Sequence, residues 1–491
     1  MKKTLIAVAA FVLLYPAMAW LMGLVIQQRI EHLAYQSQST APQLHLLQKT
    51  RRGIMTSDVD STYEVGSALK VTRHYHRGWY SSVDEASVEM SIAALGALPG
   101  VGADAAAAAD GPAHLPLHFS LRTVIHHGPF CGWTCVAVAG ADTHLTLAPP
   151  VQAKLTQLFG SQEPVAIHSR FGFFGGSSTR ISTPGFDRAQ IGQDAHLKWG
   201  GLTSTVEVGP GLDWYDVKAT VPSLRLEEEK GAFEIDGMSL DLHGKRVLRT
   251  LYGGDSRMEL KHVAVENQDK AGGFSVDDLT FASQQQAQNH FMNVSYKLGT
   301  SAVRTQPLAL TSAHFDFTWK HLGIESLESL TAAMQSARQD QSAPVAPAAR
   351  AQNMMAALKR PVGALLLDQP EMDIDRISLA TAQGQGLVTG VIHLVDVDAA
   401  DIDVPMQLLR KLDVRLDFEI DEAFLSSLPG AGANASTQMQ PMVDQGYITR
   451  SNGKLRTQLL FRGGQPTLNG KPFNPGAVRP AAPAPSARAS S

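Results

Sequence analysis

From Thr4 to Ile26 the chain runs 23 residues without a charged side chain, TLIAVAAFVLLYPAMAWLMGLVI, with Lys2 and Lys3 ahead and Arg29 behind. As a helix this run measures about 34 Å, enough to cross a hydrocarbon core of about 30 Å. Everything after it is too polar to enter a membrane, so the chain reads as one anchor carrying a large soluble body. The two lysines place residues 1–3 on the cytoplasmic side and the body across the membrane. A cleaved signal peptide is the competing reading, with Ala17-Met18-Ala19 as a small-x-small cleavage site. The apolar run continues through Trp20–Ile26 without a polar break, which favours an uncleaved anchor. Pro16 can kink the span, and bilayer helices tolerate that. No cysteine lies near the N-terminus to carry a lipid.

The remaining composition is that of a soluble body, with 18% charged residues and a net charge of −4. Without an excess of basic charge, nucleic acid is not an expected partner. Cys131 and Cys135 are the only cysteines. An export compartment allows them to pair, but two cysteines cannot make a disulfide scaffold.

Residues 27–43 continue the helical pattern as a stalk, with Ile30, Leu33 and Ala34 on one stripe that can pair with a second copy or pack on the body. Strand patterning is expected from Tyr63 to Ile92, with Arg77-Gly78-Trp79-Tyr80-Ser81-Ser82 as a turn. Residues 94–116 are rich in Gly, Ala and Pro and read as a loop or insertion. Strand resumes over Leu117–Ile125, Gly128-Pro129 punctuates it, and Pro149-Pro150 opens a helix over Val151–Phe159. From Pro164 to Phe281 the signal is almost entirely β. The alternation changes phase at Gly200-Gly201, which predicts a bulge or bend. Four segments share the form apolar-x-apolar-x-x-apolar-x-apolar: Phe233–Leu240, Met258–Val265, Phe274–Phe281 and Met372–Leu379. Each is period two with a one-residue slip, as expected of a bulged, strongly twisted strand. Helices are expected near 326–367 and over Pro405–Leu412, and strands over Leu387–Val397, Val414–Ile420 and Tyr447–Phe461. Residues 477–491, rich in Ala, Pro and Ser, are expected to be disordered. The expected fold class is mostly β (α+β). A single N-terminal transmembrane helix precedes an elongated, twisted, mostly antiparallel sheet body over 44–476 with a few short helices.

Four short stretches occur in order behind the anchor: the Arg77–Ser82 turn, His127-Gly128-Pro129-Phe130, Lys198-Trp199-Gly200-Gly201-Leu202 and Leu468-Asn469-Gly470-Lys471-Pro472. Together they resemble the YdgA-like family of bacterial envelope proteins, a domain of unknown function, over nearly the whole chain. The resemblance implies a single-pass protein of the bacterial inner membrane with its body in the periplasm. It supplies no catalytic residues. Its motif turns fall at Arg77, Gly78, His127, Gly128, Pro129, Trp199, Gly200, Asn469 and Gly470. The alanines of 105–109 and the Ala/Pro tail depart from the family pattern.

The densest set of reactive side chains is His126, His127, Cys131 and Cys135. Zinc ligation, thiol redox chemistry, a plain disulfide and unpaired thiols are the alternatives. Adjacent histidines on a strand point to opposite faces, and C-x-x-x-C matches neither a zinc knuckle nor a thioredoxin-like pair. A Cys131–Cys135 disulfide needs a turn between them to bring the Cα atoms within about 7 Å. His74 and His76 share a strand face, either as a ligand pair or as a solvated strand edge. Asp396, Asp398, Asp401 and Asp403 lack the glycine and terminal glutamate of a calcium loop and read as a polar connection. No phosphate loop, nucleophile elbow or metalloprotease helix is present. No catalytic, cofactor-binding or metal residue is therefore assigned, and no cofactor is expected. The expected role is binding or structural, with the inner membrane as partner and a lipid or envelope protein held in a sheet groove. A hydrolase or thiol-redox enzyme centred on His127 and Cys131/Cys135 is one alternative. A homodimeric assembly factor joined through the Ile30/Leu33 stripe is another.

Overall fold

The computed structural model describes residues 18–28, 44–53, 56–65, 69–90, 117–130, 136–189, 195–229, 231–267, 272–306, 308–339, 347–428 and 439–473. They form two compact units, the first comprising 1–270 with 331–358 and the second 271–330 with 359–491. Among the described residues, the strand pairings within each unit are antiparallel. The expected insertion at 94–116, the stalk beyond Gln28 with its Ile30/Leu33 stripe, Cys131, Cys135 and the Ala/Pro tail lie outside the described residues.

Unit 1 begins with helix α1 (18–28). A meander follows: β1 (Leu44–Arg52), β2 (Ser57–Val65), β3 (Leu69–Arg77), β4 (Ser81–Met90), β5 (Leu117–His127), β6 (Ala139–Leu147), β7 (Ala166–Phe171) and β8 (Ser177–Thr183). Each of these strands pairs with the next. Helix α2 (Pro149–Phe159) fills the β6–β7 connection, starting at the paired prolines as expected. The sheet continues through β9 (Phe186–Ala189), β10 (His196–Trp199), β11 (Leu202–Val208), β12 (Trp214–Glu228), β13 (Gly231–Arg246) and β14 (Tyr252–Asn267). Strands therefore begin well before Tyr63. The β1–β2 hairpin escapes sequence reading because β2 carries Val59 as its one aliphatic residue before Val65, too sparse an alternation to register.

The slipped strand patterns have a common cause. β8 and β9 both pair with one continuous strand line, β11 then β10, and are separated by Pro184-Gly185. β10 and β11 in turn pair with β12 in a single register, interrupted at Gly200-Gly201. In β12, Val221 faces Met238 and Ser223 faces Asp236, leaving Pro222 and Gly237 out of the ladder. On the other side Asp236 faces His262 and Met238 faces Leu260, leaving out Lys261. The interruptions at Pro184, Gly201, Pro222, Gly237 and Lys261 thus fall on one line across the sheet. Gly201 and Gly237 have φ of 93° and 61° there, a conformation that only glycine adopts without strain. The register is the same on both sides of each interruption, so these are matched breaks in the ladder rather than the one-residue bulges expected, and they are aligned.

Unit 2 contains β15 (Phe274–Gln288), β16 (Phe291–Thr300), β17 (Ala302–Thr305), β18 (Leu308–Leu310), β19 (Ser312–Gly323), β20 (Glu371–Thr381), β21 (Gly384–Leu394), β22 (Leu412–Asp421), β23 (Thr449–Ser451), β24 (Lys454–Arg462), β25 (Gln465–Leu468) and β26 (Lys471–Pro472). Its main order is β15-β16-β19-β20-β21-β22-β24-β25-β26. β15 slips at Asp278 (φ 48°), turning its first residues to β17 and the rest to β16. β20 slips at Asp375, which lies between Ile374 facing Phe317 and Arg376 facing Asp316. Helices α5 (Pro405–Arg410), α6 (Glu422–Ser427) and α7 (Gln440–Asp444) belong to unit 2, whereas α3 (Ile324–Gln339) and α4 (Pro347–Leu367) are each divided between the units.

Alternation divides the unit 2 sheet into two unlike faces. Tyr296, Phe317 and Ile374 pair across three strands on one face, flanked by Leu298, Phe315 and Ile377 in the next row. Asn293, Ser295, Lys297, Thr318 and Lys320 lie on the other, lining an open trough of about 600 Å³.

The core of unit 1 joins the sheet to α1. Ile26 packs with Val59, Tyr75, Ile125, Val138, Ala139 and Ala141, and Met22 and Phe171 flank them. Ala19, Gly23, Ile26 and Gln27 are the buried positions of α1, a single helical stripe, while Met18, Leu21 and Val25 stay exposed. The last part of the expected membrane span is thus built into the protein, and Gln27, expected to open the stalk, is buried. Residues 4–17 lie outside the described residues. Among the described residues no helix is long and apolar enough to cross a membrane.

Candidate functional site

Among the described residues, the most heavily buried polar side chains lie under α1. Strand alternation in β3 sends Arg73, Tyr75 and Arg77 to the inner face, and Arg73 forms a two-pronged pair with Asp84 at 2.6 Å. Tyr75 and Arg77 are at most 1% exposed. Ser82 lies opposite Arg77, and His127 is the last residue of β5. Tyr75 Oη is 2.8 Å from Ser82 Oγ, which is 2.6 Å from His127 Nε2; His127 Nδ1 is 3.2 Å from the Trp79 carbonyl. The carbonyl can only accept, so Nδ1 carries the proton. Nε2 then accepts from Ser82, and Ser82 accepts from Tyr75. These directions belong to the neutral imidazole, the form that burial favours. Burial pushes the His127 pKa down, helped by the nearby Arg77 charge, and pushes the Tyr75 phenol up to about 12.

Arg77 ties the sheet to the helix. Its Nε donates to Gln27 Oε1 at 3.0 Å and lies 3.4 Å from Ser57 Oγ, and its Nη2 donates to the Gly53 carbonyl at 3.2 Å. Ser57 Oγ also donates to Gln27 Oε1, at 2.5 Å. Arg77 Nη1 is buried with no partner among the described residues. Gly23 completes the fit: a Cβ built there would lie 2.5 Å from His127 Cε1. Gly128 is as closely packed, with an added Cβ only 1.9 Å from the Ala137 carbonyl oxygen.

Ser82, His127 and the Trp79 carbonyl have the connectivity of nucleophile, base and orienting acceptor. Ser82 and His127 are, however, at most 2% exposed, and α1 lies over them. In this arrangement they hold the helix to the sheet rather than face a substrate. Cys131 and Cys135 are outside the described residues. The residues flanking them, Phe130 and Val136, form an antiparallel bridge.

Other singled-out residues are structural. His126 points away from His127, as strand geometry requires, and lies 3.8 Å from Asp142 on the solvent face. His74 and His76 pair with Asp60 at 2.5 Å and Asp58 at 2.7 Å. They are not on an edge, because β3 lies between β2 and β4. The hydrogen bond to Asp60 pulls the His74 pKa upward, and the bond from His76 holds Asp58 below the usual carboxylate range. Trp199 donates to Thr183 Oγ1 at 2.9 Å beside the Gly200-Gly201 interruption. Asn469 and Gly470 have φ of 47° and 77°, a two-residue hairpin turn, and Asn469 also accepts from the Gln458 amide and donates to the Tyr447 carbonyl. The aspartate cluster is closed by lysines, Lys411 on Asp401 at 2.5 Å and Lys359 on Asp403 at 2.8 Å. It is the polar connection expected. Among the described residues no group of histidine, cysteine and carboxylate side chains is placed to hold a metal ion.

Residues 1–476 match the family described as "Bacterial protein of unknown function (DUF945)". The chain belongs to this family. The DUF945 match takes in the apolar N-terminal stretch, the junction under α1, the interrupted line of unit 1 and the Asn469-Gly470 turn. No curated protein and no solved structure matches the chain.

Proposed function

We propose that this DUF945 protein is a YdgA-like envelope protein, held in the bacterial inner membrane by its N-terminal apolar segment with its body in the periplasm, and that the body binds a lipid. The observation that carries the lipid reading is the apolar face of unit 2. Leu298, Phe315 and Trp319 are each 36–40% exposed there, beside a row of rings in which Phe281, Tyr296 and Phe317 contact one another. A sheet normally buries its apolar face against another layer, and exposed apolar surface of this kind marks a binding site. An acyl chain laid on it would gain about 0.8 kcal/mol for each methylene fully removed from water. The opposite face, lined by Asn293, Ser295 and Lys297, suits water.

The test is mass spectrometry of organic extracts from the protein purified without detergent, using a chain that begins at residue 18 and so keeps α1. Lipid is expected with the native sequence and is expected to be lost in Phe315→Glu/Trp319→Glu. A native-sequence body free of lipid would sink the proposal.

A further inference from the structure

We infer that one end of the unit 1 sheet is a docking surface for the lipid bilayer, an inference that rests on the anchored reading above. The end in question carries the β3–β4, β5–β6, β7–β8, β11–β12 and β13–β14 connections. Short links make it continuous: the His127 amide donates to the Tyr80 carbonyl, the Val138 amide to the Phe171 carbonyl, and a Cβ on Gly175 would touch Pro210. Its exposed side chains are apolar to an unusual degree. Tyr80 is 52% exposed, Leu212 56% and Phe174 92%, and Trp79, Phe130 and Trp214 are also exposed. Toward the opposite end of the same sheet, among the described strands and their connections, the exposed large apolar side chains are the aliphatic Leu47 and Val151, with no exposed aromatic ring beside them. Tryptophan and tyrosine with phenylalanine between them is the side-chain mixture of a membrane–water interface.

The path of the chain supplies the second argument. α1 touches Ser57, Arg77 and His127, the first residue of β2 and the last of β3 and β5, so it lies at this same end. Its exposed positions, Met18, Leu21 and Val25, are apolar as well. Ahead of it stand only fourteen uncharged residues, Thr4–Ala17, between Lys3 and α1. As a helix these measure about 21 Å, about 9 Å short of a typical hydrocarbon core. No polar linker separates them from the docked helix. With α1 in place, the membrane segment cannot be satisfied while the body stands off. The aromatic end must be drawn against the surface, where its side chains supply the interfacial layer that the short span lacks.

The experiment places a benzophenone-bearing phenylalanine at Phe174, Tyr80 or Val151 in the full chain. Each variant is reconstituted in bilayer discs of phosphatidylethanolamine and phosphatidylglycerol, illuminated, and analysed for lipid adducts by mass spectrometry. All three positions are exposed, so the probes leave the packing alone. Adducts at Phe174 and Tyr80 should exceed those at Val151 by about fivefold or more. Carbonate extraction of membranes runs in parallel and reports on anchoring separately. Protein that resists extraction but gives equal adducts at all three positions would overturn the docking surface and leave the anchor standing. Protein that is extracted yet crosslinks preferentially through Phe174 and Tyr80 would support the surface and remove the anchor. Extraction together with uniformly low crosslinking would overturn both.

Discussion

Replacing Gly23 with alanine sets two well-calibrated effects against each other. By helix propensity alone the change should stabilise α1 by about 0.8–1 kcal/mol. The packing says otherwise. The new Cβ would sit 2.5 Å from His127 Cε1 and 2.8 Å from Nδ1, about 1 Å inside ordinary contact. The imidazole cannot step back cheaply, because Ser82 holds one nitrogen at 2.6 Å and the Trp79 carbonyl holds the other at 3.2 Å. Overpacking costs about 1–3 kcal/mol, and losing one of these hydrogen bonds adds about 1 kcal/mol. The net expectation is a loss of about 1–3 kcal/mol in the docking of α1. Amide hydrogen exchange by mass spectrometry, read over residues 18–28 and over β13 as an internal reference, measures it directly. Exchange in α1 should accelerate by about fivefold to a hundredfold while β13 is unchanged. Slower exchange in α1 would show that propensity wins and that the contact with His127 is not the constraint claimed for it.

Four further outcomes are expected. Burial holds the His127 pKa below its ordinary value, so the unfolded chain binds more protons; stability should be complete above about pH 6.5 and fall below it by up to about 1.4 kcal/mol per pH unit. Urea unfolding as a function of pH should show that slope in the native sequence and lose it in His127→Gln. Gln27→Leu should cost about 3 kcal/mol in denaturant unfolding, because Arg77 Nε and Ser57 both lose their acceptor, and the added change Arg77→Met should recover part of it. Gly237→Ala should cost about 1–2 kcal/mol by the same measurement, since φ is 61° and the Lys261 chain lies 2.6 Å from the new Cβ. Because the Phe130–Val136 bridge brings the flanks of Cys131 and Cys135 together, the purified protein should show no maleimide-reactive thiol before reduction and two after it.

Much of the architecture could be read from the residues because it is written in local spacing. A slipped alternation such as Ile235-Asp-Gly-Met238 needs an irregular residue between two regular stretches, and Gly237 supplies it. Pro184, Gly200-Gly201 and Pro222 are equally visible as breakers. That they fall on one line is a matter of register, which no single strand records. The junction was hidden for a related reason. Tyr75 and His127 stand 52 positions apart in the chain, and Gln27 and Arg77 stand 50 apart. Nothing local marks Arg77 as buried, since arginine is rarely enclosed without a carboxylate. Only the His126/His127 alternation could be derived in advance, and it correctly sent one ring outward and the other in.

The N-terminal stretch shows where composition stops being informative. Trp20–Ile26 is apolar, and an apolar helix satisfies a bilayer and a protein core equally well, so hydropathy alone assigns the whole of Thr4–Ile26 to the membrane. The discriminating signal is side-chain size. Ala19 and Gly23 stand four residues apart on one stripe, and such small pairs let a helix approach its neighbour closely. Here that neighbour is the His127 ring. Gln27 then falls on the same stripe one turn further on, where lipid would leave its amide unsatisfied and Arg77 and Ser57 do not. Small residue, small residue, polar residue at intervals of four is a pattern that a lipid-facing helix has no use for. It therefore marks where, after about Ala17, the apolar run becomes committed to the sheet.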